Sequence, residues 1–379
     1  MRRGFNPRSP LWNALFAVMA IPTTRPSIEI FGFHLVESQE ERRSLEISSQ
    51  KARVYKTENL MTLDAVRTLF WGKGPRPFEV RGDFALVNSD TQDLEIPTHA
   101  NVMSPDGFLF KTTDLAYKAD KRLISSDQLV EGRQVGGAKR EAGSNVKITG
   151  KGLLINLPEN TYEIKSSVRT EQKTGPDKSL VITASNLVIY PDNQNARFTK
   201  IVQVKSPEFR LRGDRLVTTF DRADPEGPLS IRQLVMDSPQ PKQKISAELK
   251  SLKIVSRGLT IDIDPKGGGL QKSEAIGQAE AETTDGIRML AESLISDTEA
   301  GASRIRLKGN VSIFTGQRKG TCQDALFYPD TGEIVLEHGA SVTHEDQLIQ
   351  GEKIRFSTKR SDIVVEKVRG SMDHKKMNH

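Results

Sequence analysis

The stretch that decides the fold is Phe209-Arg-Leu211-Arg-Gly213-Asp214-Arg-Leu216-Val-Thr218. Apolar and charged residues alternate up to Leu211, and the side chains of a β-strand point alternately to its two faces. One face of this strand is therefore apolar and the other is polar. The glycine at 213 indicates a local break or a close approach of another backbone.

The same alternation recurs along the chain from about residue 26, in short runs separated by Gly, Asn, Asp and Pro. Examples are Ile305-Arg-Leu307-Lys-Gly309-Asn-Val311-Ser-Ile313 and Gly258-Leu-Thr-Ile261-Asp-Ile263-Asp. Residues 38–54 and 286–296 also suit a helix, and we interpret both as strands or short turns. The pattern predicts an all-β fold.

A repeat of two residues accompanies the strands: a small residue is followed three positions later by Leu or Ile. Its copies are Gly150 with Leu153, Ala184 with Leu187, Gly213 with Leu216, Gly258 with Ile261, Ala291 with Leu294 and Gly351 with Ile354. Most steps are roughly 30 to 45 residues, which favours an elongated array of paired strands over one spherical core. Chance is the alternative, since so short a pattern is common.

Composition limits the class of protein. The 379 residues exceed one ordinary domain, and only 6% of them are aromatic. Lys and Arg number 55 against 49 Asp and Glu, for a net charge of +6 with the two signs interspersed. Because no basic stripe with interleaved aromatic residues occurs, we predict no nucleic-acid partner. A mixed-charge surface, with at most a modest attraction for anions such as lipid phosphates, is the expected result.

Motifs of catalysis and metal binding are missing from the sequence. Cys322 is the only cysteine, so no intrachain disulfide can form, and we interpret it as a small buried hydrophobe. The six histidines are too scattered for a zinc site. Asp262 and Asp264 share a strand face but suit a solvated edge, and the glycines at 267–269 lack the ending of a phosphate loop. We predict no catalytic residue, metal or cofactor.

The N-terminus predicts export. Arg2, Arg3 and Arg8 precede an uncharged stretch at residues 11–24. A membrane-spanning helix needs about 20 apolar residues, so residues 1–25 suit a signal peptide or a marginal membrane anchor. Whether this segment is cleaved or retained stays open. We predict a periplasmic location, and the alternative for the apolar stretch is a core helix.

Further along the chain, residues 131–144 are rich in glycine and charge and lack apolar periodicity, which predicts a linker. The predicted domains are therefore 26–130 and 145–379.

Several blocks of the sequence resemble a known system, the lipopolysaccharide-export machinery. The blocks similar to its membrane-anchored C component, LptC, are Leu45-Glu-Ile-Ser-Ser-Gln-Lys-Ala52-Arg-Val-Tyr55, Gly82-Asp83-Phe-Ala-Leu, Asn101-Val-Met-Ser-Pro-Asp-Gly107-Phe-Leu-Phe-Lys-Thr112-Thr-Asp-Leu115-Ala-Tyr117 and Ile124-Ser-Ser. The blocks similar to the OstA-like repeats of its periplasmic A component, LptA, are Ile148-Thr-Gly-Lys-Gly-Leu-Leu-Ile155, Ile182-Thr-Ala-Ser-Asn-Leu187 and Leu307-Lys-Gly-Asn-Val311. The motifs are short, and their order and number carry the resemblance.

The resemblance implies an elongated antiparallel β-jellyroll of V-shaped strands, in two stacked units, whose open interior accepts acyl chains. It implies transport of lipopolysaccharide from the inner to the outer membrane. The implied partners are lipopolysaccharide, the inner-membrane ABC transporter and other OstA-like Lpt proteins, including the outer-membrane component. The chain is about twice as long as an ordinary LptC, which suggests that LptC-like and LptA-like parts are joined. Inner-membrane association through the N-terminus is expected, although the apolar stretch is shorter than a stable anchor needs.

The resemblance also agrees with the physical chemistry of lipid transport. Each methylene exposed to water costs about 0.8 kcal/mol, so a carrier must cover whole acyl chains. Unpaired edges of terminal strands could dock head to tail on a like-folded neighbour. Lys111, Arg210 and Arg212 are candidates for lipid phosphates at the rim, and simple solvation is their alternative role.

We predict a set of apolar-face residues as the lining of the lipid groove, with ordinary core packing as the alternative for each. The set is Phe108, Phe110, Leu115, Tyr117, Leu187, Ile189, Val202, Val204, Phe209, Leu211, Ile305, Leu307 and Val311. The alternative functions are a structural β-solenoid scaffold of the cell envelope and a carbohydrate-active β-helix enzyme. The absence of clustered carboxylates from the sequence weakens the enzyme hypothesis.

Overall fold

A computed structural model describes residues 22–39, 42–135, 146–175, 178–222, 229–240, 243–264, 269–299, 302–316, 318–344, 347–359 and 363–368. Nearly all of them are β-strand, and the one helical element within these ranges is a 3₁₀ turn at Pro191–Asn193. The all-β class is confirmed. Of the stretches that also suited a helix, most of 286–296 lies in one strand and most of 38–54 in another.

The strands follow one another with short connections. The first twelve are β1 Ile28–Gln39, β2 Arg42–Tyr55, β3 Leu60–Phe70, β4 Phe78–Asn88, β5 Leu94–Met103, β6 Phe108–Lys118, β7 Leu123–Gln134, β8 Val146–Asn156, β9 Thr161–Gly175, β10 Lys178–Ala184, β11 Asn186–Tyr190 and β12 Asn195–Lys205. The others are β13 Phe209–Arg222, β14 Leu229–Asp237, β15 Ile245–Leu249, β16 Leu252–Ser256, β17 Gly258–Ile263, β18 Leu270–Thr283, β19 Arg288–Glu299, β20 Ala302–Thr315, β21 Arg318–Tyr328, β22 Glu333–His344, β23 Gln347–Ser357 and β24 Ile363–Val368.

The chain divides into two compact units. In their described parts, unit 1 comprises residues 22–105, 111–128 and 156–159, and unit 2 comprises residues 106–110, 129–155 and 160–368. The domain limits expected from the sequence stay predictions, because residues 1–21 and 136–145, in the expected N-terminal segment and linker, lie outside the described residues.

In unit 1, strands β1 to β5 pair antiparallel in chain order. One face of this sheet is buried, as the cross-strand neighbours Ile47, Thr68, Val80 and Val102 show. Strand β1 differs from the others because apolar side chains on both of its faces are exposed. These side chains are Ile28, Ile30, Phe31, Leu35 and Val36.

In unit 2, strands β18 to β24 also pair antiparallel in chain order. Earlier in this unit the long strands have two sets of partners. Strand β13 pairs with β15 along its first part and with β14 along its second part. Strand β18 pairs likewise with β17 and then with β16. Each of these long strands therefore consists of two arms.

The two arms meet at an interruption near the middle of each strand. The ladder register shifts at Ile276/Ala279, Leu290/Ser293, Lys308/Val311, Thr321/Asp324 and Glu337/Ala340 on consecutive strands. Left-handed residues occupy the break in β18 (Gly277 and Gln278, φ 77° and 59°) and in β20 (Gly309 and Asn310, φ 78° and 47°). Such residues bend a strand as a β-bulge does. A break of the kind expected at Gly213 thus recurs on five consecutive strands, β18 to β22.

No helix among the described residues is both long enough and apolar enough to span a membrane.

Candidate functional site

A continuous row of apolar side chains crosses one arm of unit 2, with one member from each of twelve strands. Successive members are direct cross-strand neighbours, and all are buried. The row, called here the leucine row, is Ile164, Leu187, Phe198, Leu216, Met236, Leu259, Ala275, Leu294, Leu307, Ala325, Leu336 and Ile354. Because neighbouring strands lie about 4.8 Å apart, such a row is on the order of 50 Å long.

A second row lies two residues away on the same arm and the same face. This mixed row is Tyr162, Ile189, Ala196, Thr218, Leu234, Ile261, Ser273, Ser296, Ile305, Phe327, Ile334 and Phe356. Its hydroxyl-bearing aliphatic members are Thr218, Ser273 and Ser296, of which the first two are fully buried. The hydroxyl of Thr218 donates to the carbonyl oxygen of Ala196 at 3.4 Å.

The other arm carries a third row, called here the isoleucine row. Its members are Thr170, Ile182, Val204, Leu211, Ala247, Ile254, Ala281, Met289, Ile313, Gly320 and Val342. All of them are buried. Both arms of the bent sheet therefore have a continuous and largely apolar inner face.

The predicted groove residues are all buried, and they divide between the two units. Leu187 and Leu307 lie in the leucine row, Ile189 and Ile305 in the mixed row, and Val204 and Leu211 in the isoleucine row. Val202 and Val311 directly follow the interruption, and Phe209 begins β13. Phe108 and Phe110 belong to unit 2, whereas Leu115 and Tyr117 belong to unit 1.

Most members of the leucine row were not predicted as site residues, yet the sequence repeat pointed to several of them. Leu187, Leu216, Leu294 and Ile354 are each the second member of a repeat pair and lie in this row. The first member lies beside the interruption, where space is short. A Cβ at Gly213, for example, would come within 2.6 Å of the Met236 sulfur.

An aromatic cluster and a small cavity lie at one end of the mixed row. The ring centroids of Phe108 and Phe110 lie 6.4 Å and 5.9 Å from that of Tyr162. The Tyr162 hydroxyl donates to Oδ2 of Asp106 at 2.6 Å, which satisfies its one polar group. A cavity of about 210 Å³ adjoins this cluster, lined by Asp106, Phe108, Ile189, Tyr190, Pro191, Gln194, Asn195 and Phe220.

A larger cavity of about 730 Å³ lies at the other end of strands β12 and β13. Three apolar side chains of its lining, Phe209, Leu249 and Leu252, are successive cross-strand neighbours. Charged residues of both signs line it as well. They are Glu208, Arg210, Glu248, Lys250, Lys253 and Glu282, so the rim has no excess of positive charge. Arg210 is the one predicted phosphate-facing residue in this lining.

The Gln172 side chain connects the two arms across the interior. Its Oε1 accepts a hydrogen bond at 3.2 Å from the backbone N–H of Ile231, and both residues are buried. Gln172 pairs within the sheet with Leu180, and Ile231 pairs with Phe220. The ladder register shifts between Thr219 and Phe220, next to this pair. The contact therefore runs between facing surfaces of the bent sheet.

The residues that the sequence analysis weighed for catalysis or metal binding lie in surroundings that explain them as parts of the fold. Oδ1 of Asp262 accepts a hydrogen bond at 2.8 Å from Nε2 of Gln233, its cross-strand neighbour. Burial raises the pKa of the Cys322 thiol to about 12, so the thiol stays protonated and unreactive at neutral pH. Within the described ranges, no three His, Cys, Asp or Glu side chains gather as metal ligands.

Comparison with known proteins gives two family matches that together cover most of the chain. Residues 22–174 match the family described as lipopolysaccharide-assembly, LptC-related. Residues 181–362 match the family described as LptA/(LptD N-terminal domain) LPS transport protein. No curated protein is similar enough to the chain to count as a match.

One similar solved structure is the crystal structure of LptH, the LptA-homologous periplasmic component of the lipopolysaccharide transport device from Pseudomonas aeruginosa. The similarity covers 53% of this chain and 90% of that chain, at 11% sequence identity and a TM-score of 0.15.

The order of the two family matches confirms the resemblance seen in the sequence. Both are families of lipopolysaccharide-transport proteins, and the matches do not favour the alternative of a structural scaffold. They also imply a periplasmic location. The chain joins an LptC-related part to a part that matches the LptA/LptD N-terminal family, and together the two matches indicate lipopolysaccharide transport that bridges the periplasm.

Proposed function

We propose that acyl chains of lipopolysaccharide bind along the inner faces of the two arms in unit 2. The observation that carries the proposal is the leucine row, which is apolar at every strand that it crosses between β9 and β23. Moving an acyl chain of a dozen methylenes out of water is favourable by a free energy on the order of 10 kcal/mol. Similar rungs repeated along the row offer similar sites in succession, which suits movement in small steps.

The two cavities support access to this interior. Each contains at least one predicted groove residue, Phe108 and Ile189 in the smaller and Phe209 in the larger. Each also carries polar residues beside an apolar lining. A lipid with hydrocarbon tails and a polar head group needs both surfaces. Sites for small molecules are typically apolar clefts with a few polar groups.

We propose further that the ends of the chain dock other components. Strand β1 exposes Phe31, Leu35 and Val36, and strand β24 exposes Val364. Exposed apolar strands at the ends of a sheet pair readily with another strand. The LptC-related end would face the inner-membrane ABC transporter, with association through residues 1–25. The other end would face OstA-like proteins, including the outer-membrane component.

Photo-crosslinking tests the lipid site directly. A photoactivatable amino acid at Leu307 or Phe209 should give adducts with lipopolysaccharide in cells. Lys308 is the matched control, because it is exposed on the same strand as the buried Leu307. Adducts at Lys308 equal to those at Leu307, or only protein adducts at Leu307 and Phe209, would contradict the proposal.

Depletion of the protein tests the transport role independently of the site. Lipopolysaccharide should accumulate at the inner membrane when the protein is removed. Unchanged lipopolysaccharide in the outer membrane would count against the role.

A further inference from the structure

Strand β18 has an inner face made of small side chains. Ahead of Thr283 at the end of the strand, the inner residues are Ser273, Ala275, Ala279 and Ala281, and all four are buried. The strands on either side present larger residues at the same level, such as Leu259 on β17 and Leu294 on β19. Strand β18 therefore adds little side-chain volume to the interior of unit 2.

Ser273 is the one residue of these four with a polar side chain, and it is fully buried at 0% exposure. Its Oγ has no hydrogen-bond partner among the residues that the structure describes. Buried hydroxyl groups nearly always have a partner, because they have lost the one that water supplied. The other fully buried aliphatic hydroxyl of the mixed row, at Thr218, has such a partner in Ala196.

The neighbours of Ser273 define what could bind there. Across the ladders lie Ile261 on one side and Ser296 on the other, and Ala275 is the next residue on the same face. These neighbours are apolar apart from the second serine. A serine hydroxyl can donate one hydrogen bond and accept others. A ligand that fits is a hydrocarbon chain with a single oxygen function.

We propose that Ser273, with Ser296 opposite, binds a hydroxyl or ester oxygen carried on an acyl chain. The small inner residues of β18 present little side-chain bulk to that chain. The inference rests on the proposed lipid-binding interior and specifies its ligand: a chain that bears oxygen rather than a plain hydrocarbon tail.

Competitive binding to the purified full-length chain tests the inference. The assay measures how well tetradecanoate and 3-hydroxytetradecanoate each displace a fluorescent fatty acid from the protein. The hydroxylated acid should bind about fivefold more tightly, the effect expected of one hydrogen bond. In Ser273→Ala the two acids should bind equally, with the affinity for tetradecanoate unchanged. Ser126→Ala is the matched control and should keep the preference, because this buried hydroxyl lies in unit 1 and donates to the carbonyl oxygen of Thr113 at 2.7 Å.

The outcomes separate the two proposals. If the wild type binds both acids equally, or if Ser273→Ala keeps the preference, the role of Ser273 is overturned while the lipid-binding interior stands. If neither acid displaces the fluorescent probe from the wild type, the lipid-binding interior is overturned as well.

Discussion

Strands β18 and β20 are built alike but filled differently. Each has 14 residues, each pairs with β19, and each bends at two left-handed residues, the first of which is glycine. The inner face of β20 carries Ile305, Leu307, Val311 and Ile313, whereas the matching positions of β18 carry one serine and three alanines. The bend and the filling of the interior are therefore encoded separately.

The energetic consequence follows from side-chain size. Burying a Leu or Ile side chain stabilises the fold by about 1.5 to 3 kcal/mol, and an alanine contributes much less. Strand β20 therefore stabilises the bent sheet. Strand β18 contributes its ladder and its bend, and its small inner side chains add little to the packing.

The largest expected effect concerns the filling of β20. Leu307→Ala should lower the free energy of unfolding by about 3 kcal/mol, because it deletes a fully buried side chain between Leu294 and Ala325. Urea denaturation followed by circular dichroism measures the change. Lys308→Ala is the control on the same strand and should stay within about 0.5 kcal/mol of wild type. A loss below about 1 kcal/mol for Leu307→Ala would show that β20 does not fill the interior.

The next-largest loss of stability should be the same for β18 and β20, because both strands bend at a left-handed glycine. Gly277 and Gly309 both have left-handed φ angles, 77° and 78°, and a Cβ would lie 3.0 Å or less from a neighbouring side chain. Gly277→Ala and Gly309→Ala should each cost about 1 to 2 kcal/mol in the same denaturation assay. Gly74→Ala is the control, since no atom lies within 4 Å of a Cβ added there. A large cost at only one of the two left-handed glycines would contradict a shared bend.

A smaller effect on stability concerns ion pairs on the outer faces of β18 and β20. On β20 the ion pairs reach across to β19, whereas on β18 the ion pair stays within the strand. Burial alone would raise the pKa of Asp297 on β19, but hydrogen bonds from Arg304 and Arg306 of β20 outweigh it and lower that pKa. A carboxyl with a lower pKa in the folded state stabilises the fold above its unfolded pKa, and this stability is lost as the pH falls through the folded value. Water screens the pair, so the contribution is about 0.5 to 1 kcal/mol.

The contribution of Asp297 and its two arginine partners is measured as the free energy of unfolding, at neutral pH and at a pH below the folded pKa of Asp297. Asp297→Asn should lower stability at neutral pH and make little difference at the acidic end. Glu274→Gln, on the outer face of β18, is the comparison: its partner Lys272 lies on the same strand, so no strand-to-strand contact is lost. An Asp297→Asn loss that is independent of pH would contradict an electrostatic origin.

The strands and their bends were more predictable from the sequence than the site. Alternation in 305–313 places Ile305, Leu307 and Val311 on one face, and the structure has all three buried. Such a pattern is local, because each residue is compared only with its chain neighbours. It carries no information on which residue of the next strand lies opposite.

The rows depend on that cross-strand register, so they could not be derived from alternation. Leu187 and Leu307 were predicted separately, and only the ladders place them in one row with Met236. The contact from Gln172 to Ile231 is a second example, because it joins facing surfaces whose separation in sequence is 59 residues. The repeat of a small residue followed by Leu or Ile was the one sequence signal that indicated the cross-strand register. Its first member lies beside the bend of each strand, so it marks the same level on successive strands.

The smallest expected change in stability concerns strand β18, whose inner side chains are small. Ala275 on β18 and Ala325 on β21 both lie between two leucines of the leucine row, Leu259 and Leu294 in one case and Leu307 and Leu336 in the other. They differ along their own strands: the nearest inner residue toward the strand end is Ser273 beside Ala275 but Phe327 beside Ala325.

Leucine at these two positions should therefore have opposite consequences. Ala325→Leu should cost about 1 to 3 kcal/mol, the usual result of overfilling a packed core. Ala275→Leu should cost less than about 1 kcal/mol, because its inner neighbour Ser273 is small, whereas Phe327 beside Ala325 is large. It should also weaken fatty-acid binding to the purified chain, which Ala325→Leu should do only in proportion to its loss of folded protein. Equal destabilisation by both substitutions would mean that β18 is as closely packed as β21, and that its small residues serve packing alone.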